Sequence, residues 1–463
     1  MGGLWSQPNN KNQAWEQCNS SSVDTSKRLR MTSPQSCSLQ ISFDTDTSLI
    51  PALPDEISLQ ILARMPRSYY LTLKAVSQSW RNAVTDCEIY RLRKELGTTE
   101  EWLYVLTKGY DNKLSWHALD PINSIWQKLP PMPNIVQEEE FKRGLPGLMT
   151  TLIRNFLGKK DAAERMPYCG CAIGVANGCL YVLGGFSKAS ALKSVLRYNP
   201  CTNSWNEVCS MSIGRAFCKT SLLNNKLYVV GGVSRGTTGT GGLTPLRSAE
   251  VYNPDTDMWT EVPSMPFSKA QALPAAFLVE LLKPIAIGMT TYRGKLCVPQ
   301  SLYSWPFFVD VGGEVFDPVT NSWAEMPAGM GEGWPARQAS SKLSTVVNGE
   351  LYALDPSTSS DNSKIKIYDH HEDAWKVVTE KVPFRDCTDT EAPYLLTGFL
   401  GKLHVVAKDV NNDVKVFQMN LQLSGTDSYL SGTSGENEVD IWEVISATKI
   451  TGAELVSCQV LSI

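Results

Sequence analysis

A pattern that recurs about every 50 residues from Trp102 onward constrains the fold more than any other feature of the sequence. Each unit contains an apolar run that follows a tight-turn pair, as in NGCLYVLGG (177–185) and NNKLYVVGG (224–232). Each unit also contains a polar turn that ends in tryptophan, as in YNPCTNSW (198–205) and YNPDTDMW (252–259). A chain built from one repeating unit folds as a row or a ring of similar modules.

The residues of the repeat predict four strands in each unit. Asn-Gly provides the positive φ that a tight turn needs, and the apolar run after it is typical of a strand covered on both faces. Asn-Pro opens the next turn, and the tryptophan begins another strand. One more segment, such as FCKTSLL (217–223), precedes each turn pair. Four-stranded twisted sheets repeated at this period close into a β-propeller, for which we count six blades.

The pairs Gly184-Gly185 and Gly231-Gly232 end apolar strands, and a tyrosine and a tryptophan follow at a spacing of seven. This arrangement resembles the kelch repeat, and the resemblance covers residues 102–463. It implies a mainly β fold, a six-bladed kelch-type propeller. The glycine pair is missing from the other units, which are degenerate copies.

Closure of the ring requires a strand from the far end of the chain. The first unit has three strand-like segments, WLYVLTKG (102–109), LSWHALD (114–120) and IWQKLP (125–130). The sixth unit is complete before the apolar tail AELVSCQVLSI (453–463) begins. An open ring would leave unpaired strand edges. We therefore predict that Glu454–Ile463 is the innermost strand of the first blade.

Residues Leu53–Arg81 are helical in character, unlike the rest of the chain. Pro54 suits the first position of a helix, and Pro66 stops it. A third helix is predicted near Cys87–Leu96. The second helix is predicted to align Tyr69, Leu73, Val76 and Trp80. Apolar side chains exceed what so small a module can bury, so the module needs a partner.

The order LPDEI, IL, MP and VSQSWR resembles the F-box, the helical module that docks on the Skp-type adaptor of cullin–RING ubiquitin ligases. The resemblance implies that residues 48–97 form this module. It also implies that the adaptor is contacted by Leu53, Pro54, Ile57, Leu59, Ile61, Leu62, Pro66, Val76 and Trp80. A helical cap that packs on the propeller is the other interpretation. The short connection 98–101 predicts a fairly fixed relation between the two modules.

An F-box followed by kelch repeats resembles the plant F-box/kelch-repeat proteins. The resemblance implies a substrate-recognition subunit of an SCF-type ligase. The F-box would hold the Skp-type adaptor, and through it the cullin and RING subunits, while the propeller would hold an unidentified target protein. The chain itself would be non-catalytic. A kelch-propeller scaffold without ligase function is the alternative.

The lengths of the connections predict which end of the propeller binds the target. In a blade with strands a to d, the b–c and d–a connections lie at one end. The long connections, 134–166, 233–247, 299–311 and 328–338, all belong to that end. Loops on a rigid scaffold commonly carry recognition, with aromatic and Arg side chains as anchors. We expect the target-binding face to use Phe186, Arg215, Arg235, Trp305, Trp334 and Arg337. A brace between neighbouring blades is the alternative role for Arg215.

Composition argues against several other functions. A net charge of −4 gives no reason to expect nucleic acid as a partner. Four histidines and 12 scattered cysteines predict neither a metal site nor a cofactor. Free thiols and the lack of a signal peptide or long apolar run predict a cytoplasmic or nuclear protein. Residues 1–47 are polar and predicted to be disordered. Their start, MGGLWS, fits a myristoylation pattern, so membrane contact is expected only if Gly2 is acylated.

Overall fold

The computed structural model describes residues 48–109, 113–133, 168–187, 190–235, 243–268, 283–304, 307–334, 343–355, 363–380, 382–383, 394–409, 411, 413–420, 441–450 and 454–463. These residues form a small helical module followed by six blade sheets in a ring, five of four strands and one, in blade 4, of five. The predicted mainly β fold, a six-bladed propeller preceded by helices, is confirmed. The predictions for residues 1–47, including Gly2, lie outside the described residues.

The helical module contains short helices separated by capping residues. They are α1 (Asp55–Arg64), a 3-10 turn (Arg67–Tyr69), α2 (Tyr70–Val76), α3 (Gln78–Thr85) and α4 (Cys87–Glu95). The prediction of one continuous second helix is wrong, because Ser77 is extended (φ −157°, ψ 168°) between α2 and α3. The Ser77 hydroxyl accepts a hydrogen bond from the Trp80 N–H, so Ser77 caps the start of α3.

The first three blades show how the chain is divided into sheets. Blade 1 is ordered β29 (Glu454–Ser462), β1 (Glu101–Lys108), β2 (Leu114–Leu119), β3 (Trp126–Lys128). Blade 2 is ordered β4 (Ala172–Ala176), β5 (Cys179–Leu183), β8 (Val195–Asn199), β9 (Ser204–Val208). Blade 3 is ordered β10 (Lys219–Leu223), β11 (Lys226–Val230), β14 (Ala249–Asn253), β15 (Met258–Val262). Blades 2 and 3 carry small b–c hairpins, β6 (Phe186–Ser187) with β7 (Ser190–Ala191), and β12 (Val233–Arg235) with β13 (Leu243–Pro245).

The last three blades follow the same antiparallel order. Blade 4 contains β16 (Lys283–Ala286), β17 (Thr290–Tyr292), β18 (Lys295–Ser304), β19 (Phe307–Asp317) and β20 (Ser322–Glu325), and the short helix α5 (Ala328–Glu332) follows it. Blade 5 contains β21 (Ser344–Val347), β22 (Glu350–Asp355), β23 (Lys364–Asp369) and β24 (Ala374–Thr379). Blade 6 contains β25 (Tyr394–Phe399), β26 (Lys402–Lys408), β27 (Asp413–Met419) and β28 (Trp442–Lys449).

The spacing of seven between tyrosine and tryptophan has a structural cause. The two residues lie opposite each other across the hairpin of strands c and d, as Tyr198 lies opposite Trp205 and Tyr252 opposite Trp259. Their ring centroids are 5.2 and 5.1 Å apart. The Tyr252 hydroxyl also donates to Asp257 Oδ1 (2.7 Å), whose positive φ of 50° makes the turn. The motif therefore fixes the outer hairpin of a blade.

The same tryptophans join neighbouring blades. In blades 2 to 5 the indole Nε1–H donates to a backbone carbonyl that follows strand d of the preceding blade, at 2.6–2.9 Å. In blade 1 the Trp126 indole donates instead to Ser446 Oγ of blade 6 (2.9 Å). The inner strands β29, β4, β10, β17, β21 and β25 contact each other in this order, and β25 contacts β29. These contacts close the ring at its centre and at its rim.

The C-terminal strand provides the fourth strand of blade 1. β29 pairs with β1 along its whole length, from Glu101 opposite Ser462 to Lys108 opposite Glu454. Ile463 then exchanges two backbone hydrogen bonds with Glu100, at 2.7 and 2.9 Å. The two ends of the propeller are therefore held together by main-chain hydrogen bonds.

Candidate functional site

The helical module has a core of its own. The side chains of Leu62, Ala63, Tyr70, Val84 and Ile89 are at most 4% exposed and pack together. This cluster buries some of the many apolar side chains that the sequence places in the module. Apolar side chains that remain outside the cluster are the ones available to a partner.

Several large apolar side chains of the module lie in solvent. Ile57 and Ile61 are 44% and 41% exposed, and their spacing of four places them on one side of α1. Tyr69, Leu71 and Val76, on or beside α2, are 53%, 67% and 58% exposed. Such exposure within so short a segment is the sign of an interaction surface. We call these five residues the apolar module surface.

The residues predicted to contact an adaptor divide into two groups. Pro54, Ile57, Ile61 and Val76 are exposed, as a contact requires. Leu53, Leu59, Pro66 and Trp80 are half-buried, and Leu62 is 1% exposed. Leu59, Leu62 and Trp80 pack in or against the module's own core. The prediction that Leu62 is free to contact an adaptor is wrong, because α1 turns this residue inward while Ile61 faces out.

Trp80 has a structural role that the sequence pattern did not reveal. Its indole Nε1–H donates to the Leu49 carbonyl (2.6 Å), which ties the segment before α1 to α3. Tyr69 and Leu71 were missed as surface residues. The sequence aligned Tyr69 with Leu73, Val76 and Trp80 on one continuous helix, whereas Tyr69 lies in the 3-10 turn before α2 and Trp80 lies in α3.

A single carboxylate joins the module to the propeller. Glu100 Oε1 accepts hydrogen bonds from the Arg93 guanidinium (2.8 Å) and the Arg67 backbone N–H (3.0 Å). Glu100 Oε2 accepts one from the Trp102 indole (3.1 Å). Arg93 is 1% exposed and also donates to the carbonyls of Ala63 and of two other residues. These contacts brace the short connection between the two modules.

The module lies at the end of the propeller that carries the a–b and c–d connections. β1 begins directly after the module, at the end of blade 1 where β29 ends. On the neighbouring blade, Lys74 donates to the Cys201 carbonyl (3.0 Å), and Arg67 donates to that of Pro200 (3.3 Å). Both carbonyls belong to the c–d turn of blade 2. The b–c and d–a connections therefore lie at the opposite end.

An aromatic pair is exposed at that opposite end. The rings of Phe186, in the b–c connection of blade 2, and Phe217, in the d–a connection before β10, meet edge to face with centroids 6.0 Å apart. Phe217 is 37% exposed and Phe186 is half-buried. The sequence indicated Phe186, but it gave no reason to select Phe217.

Phe217 has an unusual backbone. Its φ of +55° is uncommon for a bulky residue and is held by a hydrogen bond from the Phe217 N–H to the Gly170 carbonyl (2.6 Å). Tyr168 and Phe267 also have positive φ, +68° and +54°, but they are only 5% and 1% exposed. Phe217 differs from them in that its ring reaches the surface.

Arg215 does not reach the surface. Its side chain is wholly buried and donates from Nε and Nη2 to Glu250 Oε1, at 3.0 and 2.8 Å. Nη1 donates to the carbonyls of Gly231 (3.0 Å) and Ser248 (2.8 Å). The prediction of Arg215 as a surface anchor is wrong, and the alternative of a structural brace describes it. The Arg215 N–H also donates to the Leu192 carbonyl of blade 2 (3.1 Å), so the brace spans two blades.

The remaining predicted anchors are not all described. Trp334 is 6% exposed and packs edge to face on Trp375, with centroids 5.7 Å apart. Its prediction as an exposed anchor is wrong, because the segment after α5 folds it inward. Arg235 ends β12, but its side chain lies outside the described part of the structure. Trp305 and Arg337 lie outside the described residues altogether.

Among the described residues, no three His, Cys, Asp or Glu side chains come together as metal ligands would. Burial raises the pKa of Cys171 to about 12 and that of Cys218 to about 11, so both stay protonated at neutral pH. No described helix has the length and apolar character needed to span a bilayer.

Comparisons with known proteins match both modules. The F-box domain model matches residues 50–92, and the Kelch motif model matches residues 167–212 and 214–266. An F-box/kelch-repeat protein of Arabidopsis thaliana is 55% identical over 96% of this chain and 99% of its own length. The F-box protein AFR of the same plant is 27% identical over 66% of this chain and 68% of its own. Another Arabidopsis F-box/kelch-repeat protein is 26% identical over 71% of this chain and 74% of its own length.

Proposed function

The chain belongs to the plant F-box/kelch-repeat family, and we propose that it is the target-recognition subunit of an SCF-type cullin–RING ubiquitin ligase. The F-box module binds a Skp-type adaptor, and through it the cullin and RING subunits. The propeller binds a target protein. The observation that carries the proposal is the apolar module surface on an otherwise well-packed F-box.

The opposed positions of the two candidate surfaces support this division of roles. The module is fixed at the a–b and c–d end of the propeller, and the Phe186–Phe217 pair lies at the b–c and d–a end. The Glu100 contacts make the connection between them stiff. A target held at the far end would therefore keep a defined distance from the ligase subunits, which productive transfer requires.

The proposed role assigns no reaction to this chain. F-box/kelch proteins are generally non-catalytic adaptors, and ubiquitin transfer belongs to the partner subunits. The thiols of Cys171 and Cys218, with their raised pKa values, are poor nucleophiles. A propeller that held its target without an adaptor would instead be a scaffold.

We expect Ile57→Ala combined with Ile61→Ala to abolish co-purification of a Skp-type adaptor. Both side chains are exposed, so their loss removes interface contact while the module's core stays intact. Truncation of an interface anchor costs about 1–4 kcal/mol, and two such changes lower the affinity at least roughly thirtyfold. The measurement is pull-down of co-expressed adaptor and cullin, with a thermal melt of each variant.

The matched control is Ile122→Ala combined with Ile125→Ala on blade 1. Both isoleucines are 57% exposed, so the control removes the same chemistry from a different surface. It should retain the adaptor at the wild-type level. If the Ile57/Ile61 variant bound the adaptor at the wild-type level, the proposed ligase role would be contradicted. The alternative, a propeller scaffold without ligase function, would then stand.

A second expectation concerns the target-binding face. Phe186→Ala combined with Phe217→Ala should deplete the proteins that proximity labelling finds with the wild-type chain, while adaptor binding is kept. Val319→Ala is the control, since Val319 is 91% exposed in a c–d turn at the other end. An unchanged set of labelled proteins would place target recognition elsewhere.

A further inference from the structure

A cavity of about 290 Å³ lies in the seam between the F-box module and the propeller. The module contributes Arg67, Lys74 and Tyr90 to its walls. The propeller contributes Trp102, Tyr104 and Tyr198. The two cations of the module and a set of aromatic rings therefore face one space, and the exposed Lys128 of the propeller also lines it.

The two cations are held by neutral groups. The Arg67 guanidinium lies 4.7 Å from the centroid of the Trp102 ring and donates to the Tyr104 hydroxyl (2.8 Å) and the Pro200 carbonyl (3.3 Å). The Lys74 ammonium donates to the Cys201 carbonyl (3.0 Å). Within the described ranges of the chain, neither cation forms an ion pair.

Nearby groups do not offset this charge. Glu100 directs Oε1 to Arg93 and to the Arg67 backbone, and Oε2 to the Trp102 indole. Burial raises the pKa of Tyr90, Tyr104 and Tyr198, so these hydroxyls are neutral at physiological pH. Burial, and then the charge of Arg67, lower the pKa of Lys74. Positive charge thus accumulates in the seam without a counter-ion.

We infer that the seam cavity binds a small organic anion, whose carboxylate or phosphate contacts Arg67 and Lys74 and whose apolar body lies against the aromatic walls. The volume is near the lower end of the range for ligand pockets, roughly 300–1,000 Å³. It suits a single-ring acid or phosphate ester better than a nucleotide. Charge-assisted hydrogen bonds to the two cations provide the affinity.

The ligand would also act on the connection between modules. Because both modules form the walls, an anion that binds only when they are joined stabilises the joined form. The target-binding face would then be held more firmly with respect to the apolar module surface. The inference concerns a site that shares only Leu71 with the apolar module surface, and its test needs neither adaptor nor target.

The test is calorimetric titration of the purified full-length chain with phenyl phosphate, benzoate and inorganic phosphate. At least one of the two aromatic anions should bind and raise the melting temperature, and inorganic phosphate should bind more weakly because it leaves the aromatic walls uncovered. The comparison of phenyl phosphate with benzoate distinguishes a phosphate ligand from a carboxylate ligand. Benzylamine, which has the same ring and the opposite charge, should not bind.

Lys74→Gln should weaken binding of the preferred anion at least about tenfold, since it replaces the charged donor with a shorter, neutral amide. Lys94→Gln is the matched control, because Lys94 is exposed on α4 and does not line the cavity. Both variants avoid Arg67, whose contacts help to hold the seam. Absence of binding by the wild-type chain at millimolar concentration overturns the inference, as does equal affinity in the wild type and Lys74→Gln.

Discussion

Deletion of residues 453–463 should leave an insoluble or misfolded chain. β29 is the inner strand of blade 1, and it also contacts the inner strands β4 and β25 of the neighbouring blades. Without it, β1 loses one of its two hydrogen-bonding partners, and Leu103, Val105 and other buried side chains lose their cover. An open ring with an unpaired apolar edge aggregates readily. Soluble yield and size-exclusion profile measure the effect.

Two substitutions separate loss of packing from loss of chain length. Leu461 is 2% exposed, while its neighbour Ser462 points to solvent. Leu461→Asp buries a carboxylate without a counter-charge and should reproduce much of the effect of the deletion. Ser462→Asp changes the same strand on its exposed side and should fold normally. A truncated chain that remained soluble, with an unchanged melting temperature, would refute closure by the terminal strand.

Much of the architecture follows from sequence patterns because the patterns are local. The tyrosine and tryptophan at a spacing of seven lie opposite each other in one hairpin, so the sequence alone indicates the outer half of blades 2, 3 and 5. The role of β29 follows from strand counting, since a first unit with three strands needs one more. Neither inference requires knowledge of which surfaces neighbouring blades cover.

The candidate surfaces were harder to predict because burial depends on distant partners. Arg215 resembled a loop anchor, and its partner Glu250 lies on strand c of blade 3. An acidic residue within the apolar strand AEVYN was the available signal, and it recurs as Glu314 in blade 4, where Gln300 donates to it at 2.8 Å. In the F-box, Ile61 and Leu62 are both apolar and adjacent in the sequence. The periodicity of the helix did not indicate which of the two faces the module's core.

The second large effect is expected from Arg215→Met, which should destabilise the propeller by about 3–5 kcal/mol. The arginine is wholly buried, and Glu250 is 2% exposed. The substitution leaves the Glu250 carboxylate with the Ser212 hydrogen bonds (2.7 and 2.8 Å) and no cation. The Gly231 and Ser248 carbonyls also lose their donor. The urea midpoint of unfolding measures the loss.

The control is Lys376→Met, which removes a cation from the surface. Lys376 pairs with Asp369 and Glu372, but its side chain is 50% exposed. Exposed pairs contribute little to stability because solvent screens them, so this variant should unfold close to the wild-type midpoint. The double variant Arg215→Met with Glu250→Met should recover part of the loss, because no buried charge remains. Equal midpoints for Arg215→Met and Lys376→Met would show that the buried pair does not stabilise the propeller.

The pH dependence of stability provides an independent measurement of the same pair. Burial alone would raise the pKa of Glu250, but hydrogen bonds from Ser212 and the charge and hydrogen bonds of Arg215 outweigh it and lower the pKa. A carboxylate whose pKa is lowered in the folded state stabilises the fold fully when the pH is above the unfolded pKa of 4.5. This contribution is lost as the pH falls below that value.

In Arg215→Met the positive charge of Arg215 is gone, so burial should raise the pKa of Glu250 toward or above its unfolded value. The stability difference between wild type and Arg215→Met should therefore shrink as the pH is lowered through about 4.5. A difference that stays constant across this range would mean that Arg215 acts through packing and carbonyl contacts rather than through its pairing with the Glu250 carboxylate.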